Sequence, residues 1–402
     1  MNGTANRGKI IFDMDGVITG EDRYWDAAAL TVWELLYSNR YLGLARRPGL
    51  LDFKTRVSSR EIAALRRVIF AEDKVITFFK QRAVNSNWDL AALTFVNQLL
   101  SLCRVLKEWE QEDTALLFTA LFKGEVSFTG FLRGLARSLK SMGRAWNPDF
   151  GSVLHTGITA ARGEPLPAQF FARLPGGEGK PASRVLIAAS ALWIGVRDVF
   201  QEWYLGEERF RDVFKRAPGT PGKKGLIYAE TPLLPAAKIT AALRSLQAQG
   251  WTLGIATGRP FHELRHPLKA MGIWNFFEPA AIVTFNEVCK AEKALQEIQP
   301  GISLGKPHPF SFRRAYWGPH YSDRELVFSP PPAPPPGNCW AVGDSLADLL
   351  SAREMGALFA AVLTGPGGAA GSALFKQEGA RTVLPDMTRL PAYLARYYAP
   401  GG

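Results

Sequence analysis

Cysteine is scarce in this chain: Cys103, Cys289 and Cys339 are three, odd in number and widely scattered. Such a set supports neither a disulfide framework nor a cysteine metal site, and it fits a reducing compartment. Histidine is also rare. None of His155, His262, His266, His308 and His320 shows metal-ligand spacing, and His262 with His266 reads as a surface pair on one helix face. No dense basic tract is present; Arg46-Arg47, Arg66-Arg67 and Lys223-Lys224 are doublets, of the kind that solvated helix faces carry. Long apolar runs are missing as well. Met1 to Lys9 is polar, unlike a signal peptide, and the apolar stretch Val185 to Val196 is about half a membrane span before Arg197-Asp198 stops it. These absences predict a soluble, cytoplasmic protein with no nucleic-acid and no membrane partner. They leave the oligomeric state open.

What is present is size, apolar content and positive charge. The 402 residues suffice for two domains, and a hydrophobic fraction of 47% supports ordinary packed cores. A net charge of +11 favours anionic ligands, small phosphorylated metabolites among them. The pattern changes character twice. Residues 8–20 read as strand, loop and turn. From Asp22 to about Arg216 apolar residues recur every three or four positions, as in Trp25, Val32, Trp33 and Leu36, then Ile62, Leu65, Val68 and Ile69. Leu90 to Leu106, Ala115 to Phe122 and Phe128 to Leu139 continue the helical pattern, with Gly- and Pro-rich breaks at 161–167 and 175–181. Seven of the eleven tryptophans lie in this region and read as core. Ala217 to Gly225 reads as a hinge or linker.

After Gly225 strands and helices alternate. Pro235 to Gln249 is an amphipathic helix closed by Gly250, and Trp251 to Thr257 is a buried-type strand followed by a helix near His262 to Met271. Ala280 to Phe285, Cys339 to Val342 and Leu358 to Leu363 are further short strands. The fold class is therefore α/β, a parallel sheet with helices on both faces, whose ligands bind at the carboxyl ends of the strands. Pro330 to Pro336 is a stiff extended loop, and a docking role for it is a minor alternative.

Chemistry-bearing residues fall at those strand ends. Asp13-Met14-Asp15-Gly16-Val17 follows the run Ile10-Ile11-Phe12. Side chains two apart on an extended backbone share a side, so both carboxylates can address one site, and Gly16 lets the chain bend sharply around it. Thr257-Gly258-Arg259, Lys306-Pro307 and Gly343-Asp344-Ser345-Leu346-Ala347-Asp348 follow in order. A carboxylate attacking a phosphate ester meets a repulsion of roughly 4 kcal/mol at about 4 Å and an effective dielectric near 20. Such a site needs cations. Asp13 and Asp344 offer hard oxygens suited to Mg²⁺, Lys306 balances the acids, and the Thr257 hydroxyl with the turn at Gly258 can cradle phosphate oxygens.

The ordered set resembles the haloacid dehalogenase (HAD) superfamily, in particular its phosphoglycolate phosphatase-like branch, over residues 8–20 and roughly 226–386. The resemblance implies a Rossmann-like doubly wound core formed by 1–20 and 226–402, with 21–225 inserted after the first strand as a large all-helical cap domain. It implies a Mg²⁺-dependent phosphomonoester hydrolase acting on a small phosphorylated substrate. Asp13 would be the nucleophile that forms an aspartyl-phosphate, and Asp15 the general acid and then base. Gly16, Thr257, Gly258 and Lys306 would bind the phosphoryl group. Asp13, Asp344, Asp348 and the backbone carbonyl of Asp15 would serve the metal, Asp348 directly or through a water.

Asp15 favours phosphate esters over halides, because a leaving halide needs no proton. Several alternatives stay open at this stage. Thr257 and Asp344 could be helix N-caps, and Asp348 a solvent-facing helix residue. Lys290 and Lys293 compete with Lys306, which is preferred because Gly305 to Pro309 matches the family's local pattern. A sugar phosphomutase, which shares the Asp-x-Asp-Gly-Val start, and an inactive phosphate- or partner-binding protein that retains the fold are the alternatives. In the long insertion, Arg23, Tyr24, Arg46 and Arg47 are specificity candidates on charge alone.

Overall fold

The computed structural model describes residues 7–399, apart from 46, 48, 83, 85, 109–112, 144–145, 157–165, 176–189, 366–367 and 369–370. It divides into two compact units: Met1–Glu21 with Glu230–Gly402, and Asp22–Ala229. Most of the breaks expected at 161–167 and 175–181 lie outside the described residues, as does the start of the stretch expected at Val185 to Val196. Leu166 and Pro167 open a short helix, Leu166–Phe171.

The first unit is built on strands β1 (Gly8–Phe12), β2 (Trp251–Ala256), β3 (Ile282–Val283), β4 (Cys339–Gly343), β5 (Leu358–Val362) and β6 (Thr382–Leu384). Their order is β3-β2-β1-β4-β5-β6, and every neighbouring pair is parallel. Alternation along each strand sends side chains to two faces. Ile10, Phe12, Leu253, Ile255, Trp340 and Val342 pack on the side of helices Ala236–Ala248, Phe261–Ala270 and Leu390–Tyr397. Ile11, Ala256, Ala341, Phe359 and Ala361 pack with helices Phe310–Trp317, Leu346–Met355 and Gly371–Gln377. The α/β, doubly wound parallel sheet is thus present, with β6 as a strand that the sequence pattern did not announce.

Register fixes where the chemistry falls. Phe12 pairs with Ile255 on one side and Val342 on the other, so Asp13, Thr257 and Asp344 follow at one edge of the sheet. Strand order reverses between β1 and β4, and the crevice at such a reversal is where open parallel sheets bind ligands. A small satellite core of Val288, Leu295, Leu304, Phe310 and Leu326 supports the loop that carries Lys306.

The second unit is helical and has its own core. Helix Asp22–Tyr37 is buried along most of its length, and Trp33, Trp146, Trp193 and Trp203 are core residues as expected. Tyr24 is core too, stacked at 4.4 Å on Tyr204, which takes it out of the specificity candidates. Arg47 donates to the Pro148 carbonyl at 2.7 Å, Arg23 pairs with Asp26 at 2.6 Å, and Arg46 lies outside the described residues. The segment Asn87–Leu106 is long and apolar enough to cross a bilayer, yet 78% of it is buried within the unit. A helix apolar on all sides is what the centre of a helical core requires. Leu90 to Leu106 is helical as expected, but the expected absence of a long apolar run does not hold.

The hinge expected at Ala217 to Gly225 is instead pinned. Glu202 accepts from the backbone N–H of Gly219 at 2.5 Å and of Thr220 at 3.2 Å, and Glu207 accepts from Gly222 at 2.6 Å. Lys223 is no solvated-face residue: its ammonium is buried 2.6 Å from both Glu34 and Glu202. Pro and Gly marked a turn there, and two helix carboxylates accept from three of its backbone N–H groups. Among the described residues the division between units falls later, between Ala229 and Glu230.

Candidate active site

Asp13 follows β1 directly, and its backbone N–H donates to the Val342 carbonyl of β4 at 2.8 Å. Met14 is buried in the core while Asp13 and Asp15 flank it at partial exposure, so the alternation holds through the start of the turn. At Gly16 the backbone enters the left-handed region with φ +73°, and a Cβ there would lie 2.0 Å from Asp344 Oδ2. Gly365 faces the same carboxylate oxygen at 1.8 Å from its would-be Cβ. Asp344 therefore occupies a slot between two glycines that no larger residue leaves open.

Asp344 and Asp348 have different local roles from those weighed above. The N-cap of helix Leu346–Met355 is Ser345, not Asp344. Ser345 and Asp348 form a reciprocal capping box, with the Ser345 hydroxyl donating to Asp348 Oδ2 at 2.6 Å. Asp348 is wholly buried rather than solvent-facing, and its Oδ1 lies 2.6 Å from Lys306 Nζ. Lys306 Nζ also lies 2.9 Å from Asp13 Oδ1, while Lys290 and Lys293 are exposed. Carboxylate oxygens of Asp13, Asp344 and Asp348 all lie within 4.8 Å of one another, and among the described residues no other group of three potential metal-ligating side chains does so. The set is all hard oxygen, at a spacing that one small divalent cation can span, and the glycine slot holds Asp344 toward it.

The electrostatics follow from this crowding. Burial pushes the Asp13 carboxyl up, to about 7; Lys306 opposes the rise, and the neighbouring Asp348 and Asp15 add to it. Burial works against a charged Lys306, but the two carboxylates outweigh it and hold the ammonium above the usual lysine range. A cation bound among the three acids would lower the Asp13 carboxyl again.

Thr257 is buried at the end of β2. Its N–H donates to Val283 at 3.0 Å, and its hydroxyl accepts from the Arg259 N–H at 3.2 Å. It is not the cap of the next helix, which begins after Pro260. Gly258 is exposed at the turn between them. Asp15 points to a different partner from Asp13. Arg259 Nε donates to its two oxygens at 3.0 and 3.1 Å, Nη2 donates to Thr19 Oγ1 at 2.9 Å, and Nη1 holds Glu230 at 2.8 and 3.0 Å. Arg259 and Ser345 were visible in their motifs without a role, and Glu230 and Thr19 were missed. An arginine close behind the buried apolar strand Trp251–Ala256 was the available signal, since a buried guanidinium needs carboxylates.

A HAD-hydrolase-like family model matches residues 303–390. A structural genomics target, ZR25, is 30% identical, with a TM-score of 0.74 over 97% of this chain and 99% of that one. The chain belongs to the haloacid dehalogenase superfamily. Fainter likenesses to this superfamily member include a HAD family hydrolase from Deinococcus radiodurans R1 with bound phosphate and sodium, at 14% identity and a TM-score of 0.36 over 97% of this chain and 95% of that one. Another is a phosphatase from Thermococcus thioreducens, at 16% identity and 0.35 over 86% of each chain. No curated protein matches the sequence.

Proposed function

We propose that this superfamily member is a Mg²⁺-dependent phosphomonoester hydrolase of the phosphoglycolate phosphatase-like type, acting in the cytoplasm on a small phosphorylated metabolite. The observation that carries the reading is Lys306 seated between Asp13 and Asp348 beside Asp344, with Asp15 held apart two residues beyond Asp13. A dehalogenase needs no such second acid; an alcohol leaving group does. Asp13 Oδ attacks phosphorus, the P–O ester bond breaks, and the leaving oxygen takes a proton from Asp15. Asp15 then removes a proton from the water that cleaves the aspartyl-phosphate, and phosphate leaves with Asp13 restored. Lys306 opposes protonation of Asp13 and offsets the charge of the incoming phosphoryl group, to which the hydroxyl of Thr257 and the turn at Gly258 would also donate. Asp13, Asp344 and Asp348 would hold the Mg²⁺, which supplies positive charge opposite the phosphoryl oxygens when bound.

Phosphate release from an aryl phosphate, measured with Mg²⁺ and with chelator, tests the reading. Turnover by the wild type that chelator and Asp13→Asn both abolish is expected. No turnover, or equal turnover by Asp13→Asn, overturns it, and transfer of phosphate between sugar positions without release to water would point to a mutase.

A further inference from the structure

Arg259 is 1% exposed at its side chain and spreads its guanidinium between two carboxylates, Asp15 on the Nε edge and Glu230 on Nη1. Its backbone is fixed as well, by Thr257 at the N–H and by the Phe285 N–H at the carbonyl. The second carboxylate, Glu230, is 2% exposed and opens the segment that re-enters the α/β unit. On the outgoing side, Arg259 also grips Thr19. Those two segments are joined to each other: Thr19 bridges Pro232, and the Leu233 N–H donates to the Ile18 carbonyl at 3.0 Å. One buried side chain therefore ties the Asp15 carboxylate to both points where the chain leaves and re-enters the sheet.

We propose that Arg259 is the positioning residue of Asp15, itself held by Glu230, so that the outgoing and returning segments at Thr19 and Glu230 set where the Asp15 carboxylate stands. This rests on the reading of Asp15 as acid and base. The physical case is one of freedom. Asp15 sits on a glycine turn, is 22% exposed at its side chain, and rotates about two bonds unless something holds it. A proton-transfer group has to be kept within about 0.5 Å of its productive place, and a two-point grip by a planar guanidinium does this where a single hydrogen bond does not. Glu230 fixes the guanidinium from the other side and neutralises it, so the arginine's orientation does not depend on Asp15. With two edges committed to carboxylates, Arg259 acts on the reaction through Asp15 rather than by taking the substrate phosphate.

The test compares wild type, Arg259→Lys, Glu230→Gln and the charge-balanced pair Arg259→Met with Glu230→Met, each also in an Asp15→Asn background. Hydrolysis of an aryl phosphate and of an alkyl phosphate is followed with Mg²⁺ present, and thermal melts confirm that each variant folds. With Asp15 misplaced, kcat on the alkyl ester should fall about 10²-fold with KM little changed, and the aryl ester, whose leaving group needs the proton less, should lose much less. In the Asp15→Asn background the same substitutions should alter kcat by no more than about twofold. Equal losses on both esters, or an undiminished loss in the Asp15→Asn background, would mean that Arg259 is merely structural or contacts substrate, and would overturn the proposal. Failure of the parent reading is separately visible, because wild type would then show no Asp13-dependent release at all, and this proposal would fall with it.

Discussion

Replacing Lys306 with methionine removes the charge between Asp13 and Asp348 while keeping a side chain of similar length. The ammonium lies 2.9 Å from Asp13 and 2.6 Å from the wholly buried Asp348. Removing one member of a buried ion pair costs about 3–5 kcal/mol. Here the loss is limited, because the Asp13 carboxyl already sits at about 7 with the lysine present and rises further without it. At neutral pH it takes up a proton, which holds the destabilisation near the lower bound, about 3 kcal/mol. For a unit of this size that lowers Tm by roughly 6–12 °C. If Asp13 is the nucleophile, as proposed, the same proton silences its attacking oxygen, so kcat should fall by at least about 10²-fold. Melting in chelator and initial rates of aryl phosphate hydrolysis with Mg²⁺ measure the two effects, with the exposed Lys290→Met as control, expected within about 0.5 kcal/mol of wild type. Unchanged melting and turnover in Lys306→Met, or equal losses in Lys290→Met, would refute the reasoning.

Two further outcomes are expected. Asp13 is an acid whose folded value, about 7, lies above its unfolded value near 3.9, so its stabilising contribution is complete below about pH 4 and is lost as pH rises through 7. A cation must displace that proton to bind; the rise in Tm on adding Mg²⁺ should therefore grow between about pH 5 and 7.5, and a pH-independent shift would contradict it. In the helical unit, Lys223→Ala should destabilise by about 3–5 kcal/mol, since it leaves Glu34 and Glu202 buried without their cation. Burial already pushes the Glu34 carboxyl up, so adding Glu34→Gln should recover part of the loss, and calorimetry of the unit's melting transition measures both.

The fold was legible because its strands are apolar runs with a chemical residue at the end. Ile10 to Phe12 and Cys339 to Val342 are both buried on two faces, and that is what a central parallel strand shows as a sequence. Thr382–Leu384 was not legible: three residues at the sheet edge, with Thr382 bonded to Tyr393, carry no periodic signal. The acids and Lys306 were readable as types, and the structure brings Asp13, Asp344, Asp348 and Lys306 together. What they do locally was not. Ser345 with Asp348 is a capping box written in four letters, but without the fold a carboxylate at that position looks like a surface residue. Arg259 and Glu230 are twenty-nine positions apart, and nothing in either neighbourhood names the other. The pinned turn at 217–225 shows a further limit. Pro and Gly report where the chain bends, whereas its mobility depends on acceptors supplied from elsewhere, here Glu202 and Glu207.

The bridge between Thr19 and Pro232 also bears on how such a chain can vary. Seen from the sheet, everything between those residues is the tip of a hairpin whose base is already closed by hydrogen bonds. The entropy of closing a loop grows only with the logarithm of its length, so a doubling costs about 0.6 kcal/mol. The sheet is thus nearly indifferent to how long the tip is, and lengthening, shortening or exchanging it leaves the register of β1 against β2 and β4 untouched. That makes the hairpin base a splice point, where an insertion of different length can be accommodated by the same sheet.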